Sequence, residues 1–333
     1  MRRIFNTISK VSLRGIAMGA LALAGGTSLV QDSASGQDVV SASSYAEDWN
    51  SSCDQNTCDS FFGDACRANR ARQRGTVGTL FRWSFDPASG EVAQPDEPLI
   101  SDRPDFTEAS SVVGLGVLQI ESGYTYTYDD DGTNRTIGHT YPETLFRYGI
   151  LANWLEFRFA TSYSDTDTNG LNERGADDLY LGFKIGLTVQ EGLRPEMALI
   201  PQMTVPSGSE DTTSGDVLAG LNWLYGWDIS DRISTAGSTQ FNRALDETTD
   251  EAYTEWAQSW TVGYGLTDNL GGYTEYYGFY PSGADTAGVE HYFNGGFAYS
   301  LNNDIQLDIR GGKGLNDAAD DYFVGTGIVV RFR

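Results

Sequence analysis

From Leu118 to Phe332 the chain alternates apolar and polar side chains with a period of two. Successive side chains of a β-strand point to opposite faces, so the alternation sorts each stretch into two surfaces. Over Leu118–Tyr128, the residues Leu118, Ile120, Tyr124, Tyr126 and Tyr128 share one face, while Gln119, Glu121, Gly123, Thr125 and Thr127 share the other. In the closing stretch Tyr322, Val324, Thr326, Ile328, Val330 and Phe332 form a greasy face. Phe323, Gly325, Gly327, Val329 and Arg331 form a smaller one that ends in a charge. A soluble barrel with an apolar interior needs the reverse, whereas a strand with lipid outside and a polar lumen needs this arrangement. The rule predicts strands near 118–128, 140–150, 154–164, 177–188, 195–205, 215–227, 232–243, 251–265, 269–280, 287–300, 304–313 and 320–332. The expected fold is all-β: a 12-stranded antiparallel up-and-down transmembrane β-barrel spanning 105–333, with short periplasmic turns and longer extracellular loops.

The connections alternate in length. Tight turns at 151–153, 190–192, 229–231, 266–268 and 301–303 separate longer polar loops near 129–139, 165–176, 206–214, 244–250, 281–286 and 314–319. Aromatic residues stand just before the short turns or at the strand ends. Tyr124, Tyr126, Tyr128, Tyr148, Trp223, Tyr225, Trp227, Trp256, Trp260, Tyr264, Tyr299, Tyr322 and Phe332 are the expected girdle where bilayer meets water.

With parity fixed by the greasy faces, the charges that point into the lumen are Glu121, Glu143, Arg147, Glu156, Arg158, Asp178, Lys184, Glu196, Asp216, Glu255, Glu275, Glu290, Asp308, Arg310 and Arg331. Two polar residues, Gln258 and His291, fall on the lipid face, and Gln258 is expected to mark a register shift or bulge. Twelve tilted strands about 4.8 Å apart enclose a backbone circle of roughly 24 Å, which leaves a narrow passage after side chains are added. The lumenal charges read either as an acidic conduit that slows anions or as an interlocked polar network that holds a closed barrel rigid.

Composition supports the barrel. The 39 Gly with 7 Trp, 18 Tyr and 16 Phe suit twisted strands and an interface belt. The mean hydropathy of −0.35 is no objection, since a barrel shows lipid only alternate residues. At the N-terminus Met1–Arg2–Arg3, the apolar stretch 15–30 and Ala34–Ser35–Gly36 form a secretory signal peptide over 1–36, with cleavage expected after Gly36. Its removal takes four of 22 basic and one of 46 acidic residues and leaves a net charge of −27. That charge excludes nucleic acid as a partner. Residues 37–104 form an acidic, aperiodic periplasmic leader or plug that holds Cys53, Cys58 and Cys66. A Cys53–Cys58 or Cys58–Cys66 disulfide is expected there, with one thiol left over.

Candidate chemistry is sparse. Asp165, Asp167 and Asn169 begin an EF-hand-like run, D-x-D-x-N-G, but position twelve is Ala176 rather than a bidentate Glu, so a turn-forming loop is favoured over a metal site. His139 and His291 are the two histidines, and neither context supplies the positioned imidazole of a hydrolytic triad. No phosphate loop or HExxH motif is present. Neither an enzyme nor a cofactor is expected. The expected partners are outer-membrane lipid, a small-molecule solute and a further copy of the chain in a homo-oligomer.

The segment Ile100–Ser101–Asp102–Arg103–Pro104–Asp105–Phe106–Thr107–Glu108, followed by Leu118–Gln119–Ile120–Glu121–Ser122–Gly123, resembles the entry to the barrel in outer-membrane proteins of the MetA-pathway of phenol degradation family. Gly265–Leu266–Thr267–Asp268–Asn269 and the ending Phe323–Val324–Gly325–Thr326–Gly327 are similar as well. The resemblance implies a transporter-like channel of the Gram-negative outer membrane with aromatic or other hydrophobic cargo. It also implies kinship with FapF-type twelve-stranded channels, which carry an N-terminal plug and export amyloid subunits; the leader here carries no heptads. A passive channel is the leading expectation. A closed structural or adhesive barrel binding cations or a partner through acidic outer loops is the alternative.

Overall fold

The computed structural model describes residues 98–246 and 248–333. The expected signal peptide, the three cysteines and the rest of the leader up to residue 97 lie outside the described residues. Fifteen strands follow in chain order: β1 (Leu118–Asp130), β2 (Arg135–Thr140), β3 (Thr144–Gly149), β4 (Leu155–Thr161), β5 (Tyr163–Thr168), β6 (Leu171–Ala176), β7 (Leu179–Thr188), β8 (Glu196–Val205), β9 (Leu218–Ser230), β10 (Ile233–Leu245), β11 (Ala252–Gly265), β12 (Leu270–Ser282), β13 (Glu290–Asn302), β14 (Ile305–Gly314) and β15 (Tyr322–Phe332). Strands β1, β3, β4 and β7 through β15 pair each with the next, and β15 pairs back onto β1 from Leu118↔Phe332 to Tyr128↔Tyr322. The result is a closed antiparallel barrel of twelve strands, the fold that the alternation predicts. Closure leaves no unpaired edge in the ring, which is what lets strands cross a bilayer.

Two of the expected outer loops are not loops. Stretches 129–139 and 165–176 extend the ladder: β1 runs on to Asp130, and β2, β5 and β6 add beside it in the order β1–β2–β5–β6. Short polar strands such as Arg135–Thr140 and Tyr163–Thr168 carry no apolar face, so the period-two hydropathy signal is absent there, while their Thr content still favours extended backbone. The ladder breaks between β2 and β3 around Pro142, which has no N–H to donate. Asn169 and Gly170, with φ of 54° and 87°, make the two-residue turn that joins Thr168 to its partner Leu171. An Asn-Gly pair is suited to that primed turn, since both central residues need positive φ.

At Gln258 the expected register shift does not occur. Thr239↔Gln258 and Gln258↔Gly278 sit in unbroken ladders. The amide instead satisfies itself on the outer face, donating to the Tyr225 hydroxyl at 2.8 Å and accepting from Thr239 Oγ1 at 2.8 Å. His291 is handled the same way, bonded through Nδ1 to Tyr276 Oη at 2.8 Å.

The outward face holds Phe293, Phe297, Ile309, Val324 and Ile328, all exposed on an isolated chain. Ile328 lies midway along β15, so Ile328→Arg is expected to destabilise the barrel by ~2–4 kcal/mol in lipid vesicles. Titrating folded fraction against urea for this variant and for a Thr or Ala at the same position checks it; equal midpoints would remove lipid from that face.

Candidate functional site: the lumen and the segment that crosses it

Residues 98–117 precede β1 and run through the bore. Leu99 N–H donates to Asn303 O at 2.8 Å beside the short β13–β14 turn. From there one short segment bonds to strands around the ring. Asp102 and Arg103 reach β3, β4, β7, β14 and β15; Phe106 and Thr107 reach β11 and β12; Glu108 and Ser110 reach β9 and β8. A segment that touches opposite walls of a closed ring lies inside it.

Asp102 is the centre of the contact. Its carboxylate accepts from Arg158 Nη1 at 2.6 Å and Lys184 Nζ at 2.9 Å, and lies 3.4 Å from Arg147 Nη1. Arg147 also binds Glu156 at 2.7 Å and Glu121 at 3.0 Å, and Arg158 binds Glu156 at 3.1 Å and Glu108. Side chains of Arg147, Arg158, Lys184 and Glu156 are essentially sealed from solvent. Buried ion pairs repay their desolvation only when every charge is met, so this lattice stabilises little by itself but fixes one seat for the segment. The segment's backbone completes it: Asp102 N–H donates to Glu121, Val113 N–H to Glu156, and Phe106 and Thr107 N–H to Glu275 at 2.7 Å each.

The other charges assigned to the lumen divide by height. Glu143 and Arg310 meet Arg103 and the Pro104 carbonyl respectively, and Asp308 forks with Arg103. Glu196 accepts from Ser110. Towards the outer loops, Asp178 accepts from Gly208, Thr213 and Ser214 and so pins the β8–β9 loop, which also contains half-buried Asp216. Glu255 and Glu290 accept from Tyr253 and Tyr292. At the other end Arg331 binds Asp304 and the Asn303 carbonyl. The thirteen aromatics named for the girdle are exposed or half-buried on the outer surface; Tyr128 stacks on Tyr322 at 5.2 Å, and Tyr225 and Trp227 each lie 6.2 Å from Trp260. Asp165 accepts from Asn172, Asp167 from Gly170 N–H and Asn169 from Arg135 N–H, so each of the three turns one oxygen to the β5–β6 hairpin or its neighbour.

Period-two reasoning misses the segment's own residues, Asp102, Arg103, Asp105, Thr107 and Glu108, because an irregular stretch has no face to sort. It also misses that part of the lumen is apolar. Ala198, Ile200 and Leu224 pack together at 0 % exposure, and Phe106 stacks on Tyr277 at 4.5 Å beside Phe279. Parity with Glu196 puts Ala198 and Ile200 on the inner face, and parity with Glu275 puts Tyr277 and Phe279 there, where water is expected; the bore is instead filled by neighbouring side chains and the segment. On the side of the long loops a cavity of about 100 Å³ remains, lined by Asp105, Phe106, Glu108, Tyr180, Gln240 and Phe279 among others.

Two aspartates of the segment titrate in opposite directions. Burial raises the Asp102 carboxyl, but Arg147, Lys184 and Arg158 outweigh it and hold it far below its ordinary range. Burial and the neighbouring Glu275 push Asp105 well above its ordinary value near 3.8, against a hydrogen bond from Thr261. A carboxyl raised on docking binds a proton more tightly in the docked state, so its contribution is present at low pH and is lost as pH rises from about 4 through the docked value. Asp102 contributes the reverse and stays ionised throughout that window. Segment docking is therefore expected to strengthen as pH falls from 7 towards 4.5, and Asp105→Asn to flatten the dependence. Hydrogen exchange of the segment amides against pH measures it; an unchanged slope in Asp105→Asn would refute the assignment to that residue.

The comparisons with known proteins agree with this architecture. The family model described as Putative MetA-pathway of phenol degradation matches residues 101–332. Among solved structures, an outer-membrane channel from Pseudomonas putida F1 is similar with a TM-score of 0.54 at 11 % identity, covering 67 % of this chain and 98 % of that one. The translocator domain of the autotransporter NalP from Neisseria meningitidis is similar at a TM-score of 0.46 and 12 % identity, over 66 % of this chain and 89 % of that one. The CymD monoaromatic hydrocarbon channel gives a TM-score of 0.35 at 9 % identity, over 66 % and 88 %. No curated protein is similar enough in sequence to match. The fold is thus that of outer-membrane barrels of Gram-negative bacteria, and with a family match that starts inside the lumenal segment and ends on the closing strand, the chain belongs to the Putative MetA-pathway of phenol degradation family of β-barrel proteins.

Proposed function

We propose that this protein is an outer-membrane channel for small solutes, aromatic or otherwise hydrophobic, and that residues 98–117 hold it shut. The observation that carries the reading is the chemistry of the seat. The segment is fastened chiefly by ion pairs and hydrogen bonds to lumenal walls, contacts that water and counter-ions can replace, whereas a permanent core would favour apolar packing. The cavity on the loop side supports an entry vestibule, with Phe106, Tyr180 and Phe279 offering ring faces. Carboxylates outnumber the guanidiniums of Arg103, Arg158 and Arg310 in its lining, a balance that disfavours anions. In proteoliposomes, benzyl alcohol is expected to enter faster than benzoate of similar size, and planar-bilayer recordings to show rare openings with cation preference. A barrel that stays silent and impermeable even when both Asp102 and Arg103 are alanine would be a closed structural one.

A further inference from the structure

The seam where β15 meets β1 carries a site shaped for a planar cation. Gly123 and Gly327 are directly opposed across the two strands, on the lumenal face. A Cβ on either would fall 2.4 Å from a nitrogen of the Arg103 guanidinium, so the missing side chains leave a notch in which that group lies flat against the wall. Around the notch four of the five N–H donors of the fork are met. Asp308 takes Nε at 3.1 Å and Nη2 at 3.2 Å, Glu143 takes Nη1 at 3.0 Å, and the Thr326 carbonyl takes Nη2 at 3.2 Å. Asp308 and Glu143 belong to the wall and are buried at 4 % and 7 % exposure. Among the described residues both hydrogen bonds to the Asp308 carboxylate come from Arg103, and the nearest other cation to Glu143 is Arg310 at 3.7 Å. Withdrawal of the segment would thus leave two buried carboxylates short of a counter-ion, a costly state unless another cation enters.

We propose that this notch is a guanidinium-binding site, occupied by the chain's own Arg103 and open to competition from a small solute that bears a guanidinium or amidinium group. The bidentate carboxylate and flat glycine floor select a planar fork over a tetrahedral ammonium. Because such a solute and the segment cannot share the notch, its binding and the docking of residues 98–117 oppose each other, and each weakens the other by the same factor.

The test is calorimetric and needs no transport. Full-length wild type and Arg103→Ala, in detergent micelles, are titrated with methylguanidinium chloride and with methylammonium chloride at equal ionic strength. Arg103→Ala is expected to bind methylguanidinium at least tenfold more tightly than wild type does, and at least tenfold more tightly than it binds methylammonium. Adding Gly327→Val, which fills the notch, is expected to abolish the gain. Should Arg103→Ala fail to fold, Arg103→Gln retains the stem and permits the same comparison. Equal affinity for the two cations, or no gain over wild type, overturns the assignment. A barrel that conducts nothing can pass this test and a conducting one can fail it, so the result stands apart from the proposed channel activity.

Discussion

Asp102→Ala is expected to release residues 98–117 from the bore while leaving the barrel closed. The substitution removes the carboxylate that Lys184 Nζ contacts at 2.9 and 3.1 Å, and what remains within reach of that ammonium is the Ala109 carbonyl at 2.8 Å. Arg147 and Arg158 keep Glu121, Glu156 and Glu108, so the uncompensated charge is chiefly Lys184, which is fully buried. Stranding one partner of a buried pair costs about 3–5 kcal/mol, or on the order of a hundredfold to a few thousandfold in the docking equilibrium. Faster hydrogen exchange confined to the segment amides, with raised open probability in bilayers, is the expected readout. Lys184→Met added to Asp102→Ala removes the stranded ammonium and is expected to recover much of the loss, a coupling that a double-mutant cycle isolates. If the two substitutions simply add, Asp102 does not act through Lys184.

Gly149→Ala should be the most disruptive single methyl group in the barrel wall. A Cβ there would lie 1.6 Å from the Gly114 carbonyl oxygen and 2.4 Å from its carbon. Those are backbone atoms that cannot swing aside as a flexible side chain can. The close approach exists because the turn before β1 rests on β3: Gly116 N–H donates to the Gly149 carbonyl at 2.9 Å and Gly149 N–H to the Val117 carbonyl at 3.0 Å. Relief of the clash requires the segment's last turn to lift off, giving up both bonds. Overpacking of this kind costs about 1–3 kcal/mol, to which the lost hydrogen bonds add about 1 kcal/mol each. Gly271→Ala is the matched control, since a Cβ there meets its nearest atom at an ordinary 3.7 Å. Urea midpoints that are the same for the two variants would show that the turn is not held against Gly149.

The twelve-stranded ring was legible because lipid enforces one rule on every crossing strand. A polar residue on the outer face has no water to bond, so hydropathy is written at period two wherever the wall meets hydrocarbon. Above the rim water bathes both faces and the rule lapses, which is why β2, β5 and β6 read as loops. Gln258 shows another limit: an amide on the outer face looks like an error in register until the Tyr225 and Thr239 hydroxyls beside it are seen.

The chain's order of residues alone thus determined the class of fold and the number of strands in the closed ring, both from side-chain alternation and turn chemistry. Tertiary structure decided what the inward charges are for. Asp102 and Lys184 are 82 positions apart, and Arg103 and Asp308 are 205 apart; no local pattern relates such pairs. They meet only because ring closure brings opposite walls within a side chain's reach of one irregular strip. Ion pairing depends on distance in space rather than along the chain, so a list of lumenal charges looks the same for an open conduit and for a bore filled by residues 98–117.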